Sequence, residues 1–167
     1  MTTPVRTTAD RFLLPSTVTP SHYSLELTPD LVNFTFAGTV DIDVTVHSEG
    51  VTSIDLHCHE IITNKVSFTA ADGTVLSACG IAYDIELTTV TFRFPSAVPT
   101  GVGKIHIEYT GILNDQMAGF YRSKYTDVEG NDQYMVSCKM HSLTHLLTHT
   151  NCRVILYSYL FRTHCIC

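Results

Sequence analysis

The chain has 167 residues, 10 Lys and Arg against 16 Asp and Glu, a net charge of −6 and 44% apolar content. That length suits one ordinary domain rather than two, and the few, scattered basic residues exclude a nucleic-acid footprint, which needs Lys and Arg clustered on one face. The longest apolar run, Val154 to Phe161, falls far short of the ~20 residues that span a bilayer, so no membrane segment is predicted.

In chain order, Met1 to Asp10 is rich in Thr and lacks periodicity, so residues 1–10 read as a disordered leader. No apolar run follows Met1 to make a secretory signal, and a cytoplasmic protein with reduced cysteines is expected. From Tyr23 to about Tyr109 apolar and polar residues alternate, the period of half-buried strands. The clearest run places Phe36, Val40, Ile42, Val44 and Val46 on one face and Asp41, Asp43 and Thr45 on the other. Ile54 and Leu56, Val66 and Phe68, then Val90, Phe92 and Phe94, then Ile105, Ile107 and Tyr109 repeat the pattern. Glu49-Gly50, Asp72-Gly73, Pro95 to Pro99 and Gly101 to Gly103 are predicted turns between them. Short strands at this spacing, with no intervening helix, predict an all-β chain of antiparallel curved sheets or a β-sandwich.

Several segments carry more than this. Leu14-Pro15, Pro20-Ser21-His22-Tyr23, Thr28-Pro29-Asp30-Leu31 and Thr35-Phe36-Ala37-Gly38 occur in order, followed by Ile54-Asp55-Leu56-His57 and Phe94-Pro95. The longest block runs from Tyr109 through Asn114-Asp115-Gln116-Met117-Ala118-Gly119-Phe120-Tyr121-Arg122 to Tyr125. Together these resemble the N-terminal domain of M1-family zinc aminopeptidases, in particular the cytosolic puromycin-sensitive branch. The resemblance implies an all-β supporting domain that packs on a thermolysin-like catalytic domain. It also implies an inter-domain interface at Asn114, Asp115, Met117, Gly119, Phe120, Tyr121 and Tyr125, with peptides met only through the full-length enzyme.

The resemblance stops near Ser137. Family members continue there with a Thr-Gln-Phe-Glu stretch, from which a side chain helps hold the substrate's free α-amine, whereas this chain reads Ser137-Cys138-Lys139-Met140-His141. Composition changes at the same place. All 16 acidic residues, all nine Gly and all six Pro precede it, while the last thirty residues hold four of the nine His and four of the six Cys. Residues 11–137 are therefore read as the aminopeptidase-like β domain, and residues 138–167 as an unrelated, irregular or partly helical tail. Val154 to Phe161 combines β-branched and aromatic residues without charge or Pro, so deletion of Cys138 to Cys167 is predicted to improve solubility.

Chemistry was sought in both parts. His141, His145 and His149 share a helical spacing, but no carboxylate follows Asp132, so neither the base nor the acidic ligand of a hydrolytic zinc is at hand. The Gly-Ala-Met-Glu-Asn and His-Glu-x-x-His motifs are absent from the sequence. His57 and His59, flanking Cys58, read as packing positions, and Asp41 and Asp43 as a solvated pair rather than an acid-base dyad. No nucleophile elbow of the form Gly-x-Ser-x-Gly occurs. The expectation is a non-catalytic fragment without catalytic, substrate-binding or metal-ligating residues and without its own cofactor, the parent family using Zn²⁺. The alternatives are a stand-alone interaction module, which would regulate the full-length enzyme, and a His- and Cys-rich tail that binds metal weakly.

Overall fold

The computed structural model describes residues 14–117, 119–140, 143–147 and 152–157. The predicted leader, His141, His149 and the end of the apolar run beyond Tyr157 lie outside the described residues. Among the described residues every regular element is a strand: β1 (Val18–Asp30), β2 (Thr35–Val46), β3 (Ser53–His57), β4 (Ile61–Ala70), β5 (Val75–Ser77), β6 (Gly80–Asp84), β7 (Thr89–Arg93), β8 (Gly101–Ile112), β9 (Gly119–Thr126), β10 (Asp132–Met140), β11 (Leu143–Leu147) and β12 (Cys152–Tyr157).

They form three antiparallel sheets: a six-stranded one in the order β12-β1-β2-β8-β4-β5, and three-stranded ones in the orders β11-β10-β9 and β3-β7-β6. The period-two pattern decides which side of the large sheet is dry. Phe36, Val40, Ile42, Val44 and Val46 of β2 are buried, with Leu25 and Leu27 of β1, Val66 and Phe68 of β4, and Ile105, Ile107 and Tyr109 of β8. Ile54, Val90 and Phe92 of the β3-β7-β6 sheet, and Phe120 and Val136 of the β9-β10 pair, join the same core. Aromatic edges knit the layers, with Phe68 and Phe94 centroids 6.4 Å apart and Phe36 and Phe120 centroids 5.2 Å apart, both near-perpendicular.

The opposite face of β2 and β8 is a charge ladder. Asp41 stands opposite His106 in register, and Asp43 opposite Lys104. The Asp41 Oδ1 to His106 Nδ1 distance is 2.6 Å, and Lys104 Nζ lies 3.5 Å from Asp43 Oδ1. Cross-strand pairing with polar partners on a wet face explains both carboxylates without a catalytic role.

Two expectations are corrected. Gly101 to Gly103 is not a turn but the start of β8, paired with Val46, Thr45 and Val44 of β2. Gly103 is required there because a Cβ would lie 2.3 Å from the Phe68 ring. The tail is not irregular or partly helical where it is described. β11 pairs with β10, Val136 opposite Leu147 through Met140 opposite Leu143, and β12 pairs with β1, His22 opposite Tyr157 through Leu27 opposite Cys152. The edges of β10 and β1 offer unpaired backbone groups, and their hydrogen-bonding demand overrides the weak helical spacing of the histidines.

Candidate functional site

β8 ends at Ile112 and β9 begins at Gly119, and the connection between them carries much of the expected interface. Its root is fixed. Leu113 is fully buried, and its N–H donates to the Phe34 carbonyl at 2.8 Å. Asn114 suits a tight turn because its side-chain carbonyl can accept from the backbone two residues on, and Oδ1 takes the Gln116 N–H at 2.9 Å. Asn114 also bridges to Tyr121, and its carbonyl accepts the Arg122 N–H at 2.8 Å.

Arg122 ties the two ends of the loop. Its Nη1 donates to the Leu113 carbonyl, and its Nη2 lies 3.3 Å from Asp115 Oδ2. The guanidinium sits 4.4 Å from the centroid of the Phe34 ring, which meets Tyr134 edge-on at 4.8 Å. A planar cation with five donors can stack and bond at once, which a lysine cannot do. Phe34 holds a left-handed backbone, φ 55°, in the β1–β2 turn that Asp30 organises by accepting the Val32 and Asn33 N–H groups at 2.9 and 3.0 Å. These bonds, that of the Asn33 backbone first, lower the Asp30 carboxyl below its usual range.

Beyond this root the loop projects an apolar tip. Met117 is 66% exposed and has φ 58°, an uncommon left-handed conformation for a side chain of its size. Gly119, φ 65°, returns the chain into β9. Tyr125, 44% exposed, stands at the far end of β9, where the β9–β10 turn closes on Asp127. Asp127 Oδ1 accepts the Glu129 and Asn131 N–H groups at 3.0 and 2.8 Å, and its carboxyl is lowered below the usual range, chiefly by Asn131.

Of the seven residues expected at an interface, Asn114, Asp115, Met117, Gly119 and Tyr121 gather at this loop, and Tyr125 lies further along the same strand. Phe120 does not face outward: it is 4% exposed and packs on Phe36, because alternation along β9 turns it inward between its neighbours. Sequence reasoning missed Arg122 and Phe34. The available signal was an Arg inside an aromatic-rich strand with an acidic residue seven positions before it.

Among the described residues no three His, Cys, Asp or Glu side chains converge as metal ligands. Cys58 directs its thiol to the Ile61 carbonyl at 3.6 Å, and His59 is exposed beyond the end of β3. His145 stands in β11 opposite Cys138 rather than on a helical face. The described residues thus do not fit a hydrolytic zinc, and no step of hydrolysis follows from them. No helix among them is long and apolar enough to cross a membrane.

The chain is 38% identical over 151 residues to aminopeptidase 2 of Candida albicans, which covers 90% of this chain and 15% of that protein. It is 37% identical over 134 residues to alanine/arginine aminopeptidase of Saccharomyces cerevisiae, covering 78% of the chain and 15% of the relative. Puromycin-sensitive aminopeptidase of Caenorhabditis elegans is 31% identical over 129 residues, covering 77% of the chain and 14% of the relative. The chain therefore spans about one seventh of the length of these relatives. The profile of the Peptidase M1 N-terminal domain matches residues 19–145, a segment that crosses the compositional break at Ser137. With that match over most of its length and strands throughout the described residues, the chain belongs to the family of Peptidase M1 N-terminal domains.

Proposed function

We propose that this chain is the non-catalytic N-terminal domain of an M1 zinc aminopeptidase, and that its role is to support the catalytic domain rather than to hydrolyse peptides. The observation that carries the reading is the match to the N-terminal domain alone, on a chain spanning about 15% of its relatives. The loop from Asn114 to Gly119 supports it. A rigid root at Leu113 and Arg122 with an exposed Met117 tip is what a docking element needs, because little ordering entropy is lost when the tip is buried. Its partner is the catalytic domain of the parent enzyme, which removes N-terminal residues from peptides, and peptides meet this chain only through that enzyme. The parent's Zn²⁺ belongs to that catalytic domain. Cys58 and Cys79 are not joined in a disulfide, which suits a reducing cytoplasmic compartment.

The test is an assay of the purified full chain, with Zn²⁺ added, for release of N-terminal residues from aminoacyl dyes. No release above buffer is expected. Zinc-dependent release that persists undiminished through further purification would overturn the proposal.

A further inference from the structure

Independently of that reading, β1 presents a second recognisable surface, its outer edge. β2 holds the inner edge along nearly all of β1, from Val18 opposite Val46 to Asp30 opposite Thr35. Among the described residues the outer edge is covered from His22 to Leu27 by β12. Prolines bracket this stretch. Pro20, followed by a register shift before His22, lies on one side, and Pro29 on the other; neither has an N–H to offer a further strand. The prolines therefore bound this stretch of edge on both sides.

Its register is chemically specified. Glu26 is the one Asp, Glu, Lys or Arg within His22–Leu27, and Arg153 is the one within Cys152–Tyr157. They stand directly opposite each other. Val154 stands opposite the buried Leu25, and Leu156 opposite the half-buried Tyr23. A slip of one residue would set Arg153 against Leu25 or Leu27, so the observed pairing is the one that satisfies the charge. Among the described residues β12 is the last strand of the sheet, hydrogen-bonded to β1, and four residues separate it from β11, which belongs to another sheet.

We propose that the outer edge of β1, His22 to Leu27, is a strand-binding site for an extended peptide with apolar residues at alternate positions and a basic residue opposite Glu26. Cys152–Tyr157 occupies it in cis. Main-chain bonding to an edge strand supplies the affinity and the alternate positions supply the selectivity. Tethering gives the cis strand an effective concentration on the order of millimolar, so a peptide in trans competes only when the cis strand is weakened.

Two experiments on the full chain test this by amide hydrogen exchange at residues 22–27. In the first, Glu26→Lys and Arg153→Glu are made singly and together. Each single change is expected to speed exchange about threefold, and the double change to bring it back near the parent rate. In the second, Val154→Pro with Ile155→Pro disables the cis strand, since one of two consecutive amides must face β1. A synthetic peptide of residues 151–158 carrying Cys152→Ser should then restore protection, and the same peptide with Arg153→Glu should need about threefold more for equal effect. Equal exchange in the parent and all three charge variants, or a scrambled peptide that protects as well as the matched one, would overturn the proposal. The charge variants decide the matter if the proline variant fails to fold.

Discussion

β2 and β12 flank the same strand from opposite sides, and they hold it differently. β2 lies against β1 from Val18 to Asp30, alternates strictly and sends five apolar side chains into the core, Val40 and Ile42 among them at 0% exposure. β12 lies against six residues of β1, reads Cys-Arg-Val-Ile-Leu-Tyr without alternation, and ends the sheet. One strand is specified by its own pattern, and the other by the edge that receives it. Changes on the β2 side should therefore unfold the domain as a unit, and changes on the β12 side should loosen β1 locally.

The largest effect is expected from Ile42→Ala, which opens a cavity at a fully buried position and should cost about 2–5 kcal/mol in denaturant unfolding. A cost near zero would show that β2 does not anchor the core. Gly38→Ala tests the same strand by overpacking, since its Cβ would lie 2.6 Å from ring atoms of Tyr109, the residue opposite it in register. A loss of about 1–3 kcal/mol is expected, and it should be partly recovered by Tyr109→Leu, which removes the ring.

Tyr23 joins the two sides, standing opposite Ile42 of β2 and Leu156 of β12. Burial pushes its hydroxyl up from 10.0 to about 12. The folded state thus holds this proton more tightly than the unfolded chain. Its contribution is intact below pH 10 and is lost as pH rises from there through the folded value of about 12. Alkaline unfolding should lose roughly 2 kcal/mol across that window through this residue, and Tyr23→Phe should flatten the loss. An unchanged pH profile in Tyr23→Phe would mean that burial does not hold the proton on this hydroxyl.

The smallest effect is expected at the β9–β10 turn. The Asp127 carboxyl lies below its ordinary value of 3.8, so its bonds to Glu129, Asn131 and Gln133 hold above that pH and fail as pH falls through the lowered value. Amide exchange of residues 129–133 should rise on acidification below that range in the parent chain and be high at every pH in Asp127→Ala. Equal exchange in both would remove Asp127 as the clamp of this turn.

How much of this was legible in the sequence follows the same division. β2, β7 and β8 could be read from period two alone, because each has one dry and one wet face. The loop from Asn114 to Tyr125 could be placed by its resemblance to a known family, but its anchoring could not. Arg122 reaches Phe34 across 88 positions of sequence, and no local pattern encodes that approach. Phe120 was placed at the interface by the resemblance, although alternation alone would have turned it inward. The strands of the tail escaped because their order comes from distant edges, while the spacing of His141, His145 and His149 suggested a helix that nothing else supported. Gly103 was misread as a turn former because the need for a missing Cβ arises only when Phe68 arrives from β4.

The most direct test of the central claim is binding of the full chain to the remainder of an M1 aminopeptidase expressed without its own N-terminal region, measured by titration calorimetry for the parent chain and for Met117→Asp. A defined one-to-one complex is predicted, weakened about tenfold or more by Met117→Asp, because a charge placed on the apolar tip must be buried without a partner. No complex, or a complex indifferent to Met117→Asp, would contradict the assignment of this loop as the docking element and of the chain as a supporting domain.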